Sequence, residues 1–197
     1  MSEGAEERLA RWLKAVVGTP GMTALRDPAE ARRVLLADSL RALPLVARFG
    51  GPIVDVGSGG GAPGIPLAEA LPEREVTLLE AEHRKCDFLE RWAPPNARVV
   101  RGRAEEQGAD VYGIAIAKAL APPPVAAEWC LALVRPGGAA ILFVGPSADL
   151  GSVARVSERL GGGQLEEQDG LLVLPKLSPT PPGFPRRAGI ARKRPLA

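Results

Sequence analysis

The stretch Pro52-Ile53-Val54-Asp55-Val56-Gly57-Ser58-Gly59-Gly60-Gly61-Ala62-Pro63-Gly64 decides the fold. Its first part is a short apolar run suited to a buried strand. The run empties into a turn with glycine at four of the five positions 57–61. Glycines at that density let the backbone reverse within a few residues and let a ligand come close to the main chain. A strand, a glycine turn and then a helix place this turn at the carboxyl edge of an open sheet, where such sheets bind ligands.

Downstream, short apolar runs recur at 76–80, 97–100, 111–117, 139–144 and 171–174. Helical patterns lie between most of them, at 64–71, 82–92, 123–134 and 149–160. This alternation predicts a doubly wound, mostly parallel sheet covered on both faces. Upstream, Leu9, Trp12, Leu13, Val16 and Val17 share one face of a helix over 5–17, and Gly18-Thr19-Pro20-Gly21 stops it. Asp27-Pro28 has the form of an N-cap with proline at the first helical position, and starts a helix that runs towards Asp38-Ser39. A third helix is predicted over 39–49. The expected architecture is an α/β, Rossmann-like fold. It has a short helical N-terminal cap over 1–50, a sheet core over 51–175 and an extended, basic, Pro-rich tail over 176–197.

Composition narrows the chemistry. A chain of 197 residues, 46% hydrophobic and 24% charged, suits one globular unit and excludes a disordered chain or a coiled coil. No run of about 18 uncharged apolar residues occurs, so no membrane span is expected. The acidic first residues lack the apolar segment of a secretory signal, and a cytoplasmic monomer is expected. Cys86 and Cys130 are the only cysteines and His83 the only histidine. These are too few for a disulfide framework, a four-ligand zinc site or a Ser-His-Asp triad, and no metal is expected. Net charge is only +2, yet Arg186, Arg187, Arg192, Lys193 and Arg194 crowd the last segment, 183–197, with no acid among them. That distribution suggests an anionic partner touched at one place.

Two ligands compete for the glycine turn. Gly57-x-Gly59-x-x-Ala62 fits the dinucleotide pattern G-x-G-x-x-G/A. Pro63 and Pro66 argue against it, because a dinucleotide fold already has its helix running there with the N-terminus on the pyrophosphate. Asp55 is a poor neighbour for a pyrophosphate and a good one for an ammonium group, such as the methionine end of S-adenosylmethionine. Glu80 ends the next strand, where an acid accepts the two hydroxyls of a ribose. Gly102-Arg103-Ala104-Glu105-Glu106 follows the third strand. In a methyltransferase sheet this turn lies beside adenine, with Ala104 against the ring and Glu105 or the backbone at its amino edge. The balance favours a methyl donor.

The acceptor is narrowed by what is missing. Methylation at cytosine C5 needs a cysteine nucleophile, usually as Pro-Cys, whereas Cys86 and Cys130 sit within helical patterns. Methylation of exocyclic amines typically uses Asn/Asp-Pro-Pro-aromatic after the fourth strand, where this chain has Lys118-Ala119-Leu120-Ala121-Pro122-Pro123-Pro124. Acceptors with a free lone pair remain, guanine N7 among them. Such an acceptor needs position and electrostatics rather than a base.

Across nearly its whole length the chain resembles the ribosomal RNA small-subunit methyltransferase G family, also called glucose-inhibited division protein B. Residues 55–67 are similar almost letter for letter to the family's D-V-G-S-G-G-G-F-P-G-I-P-L. Residues 22–28 resemble its N-L-T-x-x-x-D-P segment, 38–40 its D-S-L, 103–106 its R-A-E-E, and 185–196 its terminal Y-P-R-R-x-G-x-P-x-K-x-P-L. Gly21, Leu35, Lys118, Val144 and Ala191 stand where the family carries asparagine, histidine, arginine, lysine and proline. The resemblance implies methyl transfer from S-adenosylmethionine to guanine N7 in 16S ribosomal RNA, with the RNA or the small ribosomal subunit as partner. It implies donor contacts at Gly57, Ala62, Ala104, Glu105 and Lys118, which Asp55, Gly59 and Glu80 join from the reading of the turn. Under it, Arg186, Arg187, Arg192, Lys193 and Arg194 would contact phosphates. The alternatives are another acceptor, or a silent module that binds S-adenosylmethionine or RNA without turnover.

Overall fold

The computed structural model describes residues 2–197. The first helix, α1 (Glu3–Gly18), buries Leu9, Trp12, Leu13 and Val16, and Ser2 caps it by accepting from the Ala5 amide. Asp27 caps the next helix as expected, accepting from the amides of Ala29 and Glu30. That helix runs as α2 (Pro28–Ala31), a π-helical stretch Arg32–Ala37, and α3 (Asp38–Leu40). The helix predicted over 39–49 shrinks to a single turn, α4 (Leu43–Val46). Pro44 has no amide proton and its ring crowds the Leu40 carbonyl, so the preceding helix cannot pass through it.

The sheet is built from β1 (Ile53–Val56), β2 (Val76–Glu80), β3 (Ala97–Arg101), β4 (Tyr112–Lys118), β5 (Val134–Phe143), β6 (Glu166–Gln168) and β7 (Leu171–Pro175). Their spatial order is β3-β2-β1-β4-β5-β7-β6. The first five are parallel, whereas β7 runs antiparallel to β5 and β6 antiparallel to β7. The helices α5 (Gly64–Ala70), α6 (His83–Trp92), α7 (Pro123–Leu133) and α8 (Leu150–Arg159) join or flank the strands. Order reverses between β1 and β4, which opens a crevice at their carboxyl ends.

Two apolar layers cover the sheet, which explains why its strands read as continuous apolar runs. On β4, Ile114 and Ile116 pack with Trp12 and Leu67 on one face, and Ala115 and Ala117 pack with Trp129 and Val153 on the other. The strand β6 was not predicted. Its residues Glu166, Glu167 and Gln168 are exposed and carry no alternation. The signal that marks it is the turn: Asp169 and Gly170 both have positive φ, 52° and 77°, as a tight hairpin requires.

The tail, expected to be extended, is instead docked on the domain. Just after β7, the Lys176 ammonium is fully buried and donates to the carbonyls of Leu131 and Leu160 and to the Thr180 hydroxyl. The Thr180 amide and hydroxyl in turn donate to the Asp110 carboxylate. Further on, a short helix, α9 (Ile190–Lys193), buries Ala191 among the residues of α7. Specific pairs with residues distant in sequence hold this segment, and no local pattern announces them.

Candidate functional site

A cavity of about 540 Å³ opens at the carboxyl edge of the sheet where the strand order reverses. Gly57, Gly59, Ala62, Glu80, Ala104, Glu105 and Lys118 all line it. Gly57 leaves β1 with φ of +72°, and a Cβ built there would overlap the Leu120 side chain. Glycine takes that conformation without strain, whereas a larger residue would be strained there and would have to displace the Leu120 side chain. Behind the turn, the Trp12 indole N–H donates to the Gly60 carbonyl at 2.9 Å, which ties α1 to the turn.

Glu80 is buried at the end of β2. One of its oxygens accepts from the Gly59 amide at 2.9 Å and the other from the Glu82 amide at 2.8 Å. A carboxylate has about four acceptor positions, so two remain for a ligand in the cavity. Ala104 is nearly fully buried in the turn after β3. Beside it, Glu105 accepts from the Gly189 amide at 3.0 Å.

Asp55 is brought to a different place from the one expected. It does not line the cavity but lies behind the glycine turn. It is fully buried, and one oxygen accepts from the Gly64 amide at 3.0 Å at the start of α5. Its second oxygen has no partner. A Cβ at Gly64 would strike both Asp55 and Leu78, so glycine is needed for this close approach. Burial pushes the Asp55 carboxyl up to about 7; the Glu80 charge adds to this, and the Gly64 amide and the Lys118 charge oppose it. The residue organises the turn from behind.

Lys118 ends β4 at the cavity, but its ammonium turns towards the N-terminal helices. It pairs with Asp38 at 2.6 Å and donates to the Val34 carbonyl within the π-helical stretch. It also lies 5.1 Å from the centre of the Phe143 ring. Met22, Thr23, Val34 and Leu35 form the wall on this side. Of these, Leu35 is the position where the resembled family carries histidine, and Met22 and Thr23 open the segment similar to its N-L-T-x-x-x-D-P; nothing in the sequence singles out Val34.

The basic residues of the last segment divide into two groups. Arg187, Arg192, Lys193 and Arg194 are all exposed, and of these only Arg192 also reaches the cavity. The Arg186 guanidinium instead meets the buried Glu128 carboxylate with two contacts of 2.6 Å. The Arg192 guanidinium lies 5.2 Å from the centre of the Trp129 ring, donates to the Leu120 carbonyl at 3.3 Å and lines the cavity. Neither cysteine lines the cavity, and burial pushes both thiols up. Among the described residues, no group of three or more His, Cys, Asp or Glu side chains is placed to hold a metal ion, and no helix is long and apolar enough to cross a membrane.

A profile of the family GidB, rRNA small subunit methyltransferase G, matches residues 6–152. The chain is 34% identical to the ribosomal RNA small subunit methyltransferase G of Synechococcus sp. (strain JA-2-3B'a(2-13)), over 99% of this chain and 86% of that protein. It is 37% identical to the protein of the same name from Rubrobacter xylanophilus, over 92% of this chain and 77% of that protein. Among solved structures it is similar to a tRNA methyltransferase from Aquifex aeolicus, with a TM-score of 0.57 and 15% identity over 84% of this chain and 76% of the other. It is also similar to a T. thermophilus 16S rRNA N2 methyltransferase in complex with AdoMet and guanosine. There the TM-score is 0.54 and the identity 19%, over 68% of this chain and 37% of the other. At these identities the structural likeness is one of fold, and it agrees with the Rossmann-like sheet expected from the sequence.

Proposed function

The chain belongs to the rRNA small subunit methyltransferase G family, and from that premise we propose that it transfers a methyl group from S-adenosylmethionine to N7 of a guanosine in 16S ribosomal RNA. One observation carries the donor reading: the cavity at the β1–β4 reversal, with a glycine of positive φ at its edge and a buried acid that keeps acceptor positions free. The residues fit a nucleoside donor. In this reading Gly57 gives main-chain access, the free acceptor positions of Glu80 take the ribose hydroxyls, and Ala104 offers a small apolar surface to a purine, with Glu105 at its edge.

When bound, the donor supplies a methyl carbon activated by its sulfonium. The chain's own part is then simple. N7 of guanine carries a free lone pair, so no side chain has to remove a proton, and the task is to position and to exclude water. The buried, protonated thiols of Cys86 and Cys130 take no part as nucleophiles. Lys118 acts on the site through Asp38 and Val34, by holding the N-terminal helices against the cavity. The Hoogsteen edge lies deep in the narrow groove of duplex RNA, so the substrate base sits in a loop or is extruded. Exposed Arg187, Lys193 and Arg194 serve as phosphate contacts. The protein acts in the cytoplasm as a monomer, on the small ribosomal subunit or its RNA.

The test is transfer of labelled methyl from S-adenosylmethionine to undermethylated small subunits and to naked 16S RNA, read by nucleoside mass spectrometry. Appearance of 7-methylguanosine is the expected result. Methyl on another atom, or none despite donor binding, overturns the acceptor assignment.

A further inference from the structure

The last segment does more than carry exposed positive charge. It touches three residues of the cavity wall that come from three different parts of the fold. The Gly189 amide donates to Glu105 in the turn after β3, at 3.0 Å. Arg192 donates to the Leu120 carbonyl after β4, at 3.3 Å. Its guanidinium also covers the indole of Trp129 on α7, at 5.2 Å. The segment is anchored at both ends. Arg186 holds Glu128 in two contacts of 2.6 Å and donates to the Arg194 carbonyl at 3.0 Å, which closes the segment on itself. Ala191 between them is fully buried.

Beneath Arg192, the Trp129 indole N–H is buried and has no hydrogen-bond partner. Arg192, Trp129, Ala104 and Glu105 line the same cavity. A planar cation stacked on an indole beside a small residue and an acid suits the face and edge of an aromatic base.

We propose that segment 186–194 is a wall of the donor cavity, with Arg192 as its contact to the base of the bound nucleoside, so that donor affinity depends on this segment being docked. The inference rests on the donor reading above. It gives Arg192 a role in holding the donor instead of a phosphate.

The full chain is titrated calorimetrically with S-adenosylhomocysteine, alongside Arg192→Ala, Arg192→Lys and, as a control, Arg159→Ala on the exposed side of α8. Loss of one stacked, hydrogen-bonding guanidinium is expected to weaken binding about tenfold in Arg192→Ala. Arg192→Lys should recover only part of this, because the ammonium lacks the planar fork. Arg159→Ala should bind like the parent, and all melting temperatures should agree closely. In turnover, KM for the donor rises in Arg192→Ala while kcat is held. Unchanged affinity in Arg192→Ala, with the parent binding normally, overturns the wall and leaves the donor reading standing. A parent chain that does not bind S-adenosylhomocysteine overturns the donor reading, and the wall falls with it. If Arg192→Ala does not fold, Arg192→Lys against Arg159→Ala decides in the same way.

Discussion

Lys118 and Asp38 form an ion pair of 2.6 Å that joins the end of β4 to α3. The two side chains are 14% and 25% exposed, so the pair is only partly screened by water. Asp38 also holds Arg41, at 2.5 Å. On the other side, the Lys118 ammonium takes the Val34 carbonyl from the π-helical stretch. A π-helical stretch within an α-helix leaves backbone carbonyls without their ordinary partners, and such stretches recur at functional sites. Here a side chain at the edge of the cavity satisfies one of them, and the wall formed by Val34 and Leu35 is fixed by that bond.

Lys118→Ala should therefore destabilise the chain by about 1–3 kcal/mol, as expected for charge-assisted hydrogen bonds that leave their acceptors unpaired. Asp38→Asn should cost less, since its side-chain carbonyl oxygen can still accept from Lys118. A double-mutant cycle in urea should give a coupling of about 1 kcal/mol between the two positions. Zero coupling would mean that the pair does not hold the N-terminal helices, and would return Lys118 to direct contact with the donor.

Gly57→Val should abolish donor binding at concentrations that saturate the parent. The side chain would have to share space with Leu120, and φ of +72° is strained for any β-branched residue. The backbone strain alone is about 1–2 kcal/mol, so the variant should still fold, with a lowered melting point. Titration with S-adenosylhomocysteine checks the first statement and thermal melting the second. Undiminished affinity would place the donor elsewhere.

Asp55 predicts a pH dependence with a definite sign. Its carboxyl ionises near 3.8 in ordinary surroundings and at about 7 when buried behind the glycine turn. The folded chain therefore keeps this proton in a range where the unfolded chain has lost it. Stability falls as pH rises from about 4 to about 7 and is flat above. The cost of ionised Asp55 above neutrality is on the order of 4 kcal/mol. In Asp55→Asn the Gly64 amide keeps an acceptor and nothing ionises at this position, so that cost is absent. The stability of the parent minus that of the variant, from urea curves at pH 5 and pH 8, should drop by a few kcal/mol. A difference independent of pH would mean that Asp55 ionises normally.

Much of this molecule is legible from residues 52–64 outward. Five parallel strands are marked by apolar runs because both faces of the sheet are covered, and seven of the eight expected donor residues line one cavity. The eighth, Asp55, does not: alternation tells which face of a strand a residue is on, but not that its carboxylate will accept the Gly64 amide at the start of α5. The same limit applies to Lys118, whose ammonium reaches a carbonyl 84 positions away. It applies again to the last segment, which reads as an extended basic tail because its partners Glu105, Glu128 and Trp129 belong to other elements.

That docking makes two arginines of the same segment separable by experiment. Arg186 pairs with Glu128, whose side chain is 3% exposed, whereas Arg194 is exposed. Removing Arg186 leaves a buried carboxylate without its cation, which costs about 3–5 kcal/mol for a fully buried pair and somewhat less here, where Arg186 is 19% exposed. Arg186→Ala should therefore lower the melting temperature by many degrees, and Arg186→Ala/Glu128→Leu should recover much of the loss. Arg194→Ala should melt like the parent. Its deficit should appear in RNA binding instead, as a salt dependence of log K shallower by about 0.7–0.9 for one lost phosphate contact. If Arg194→Ala binds 16S RNA with the parent's salt slope, the exposed side of this segment does not touch phosphate, and the contact surface must be sought among the cations at the cavity mouth, Lys85 and Arg103.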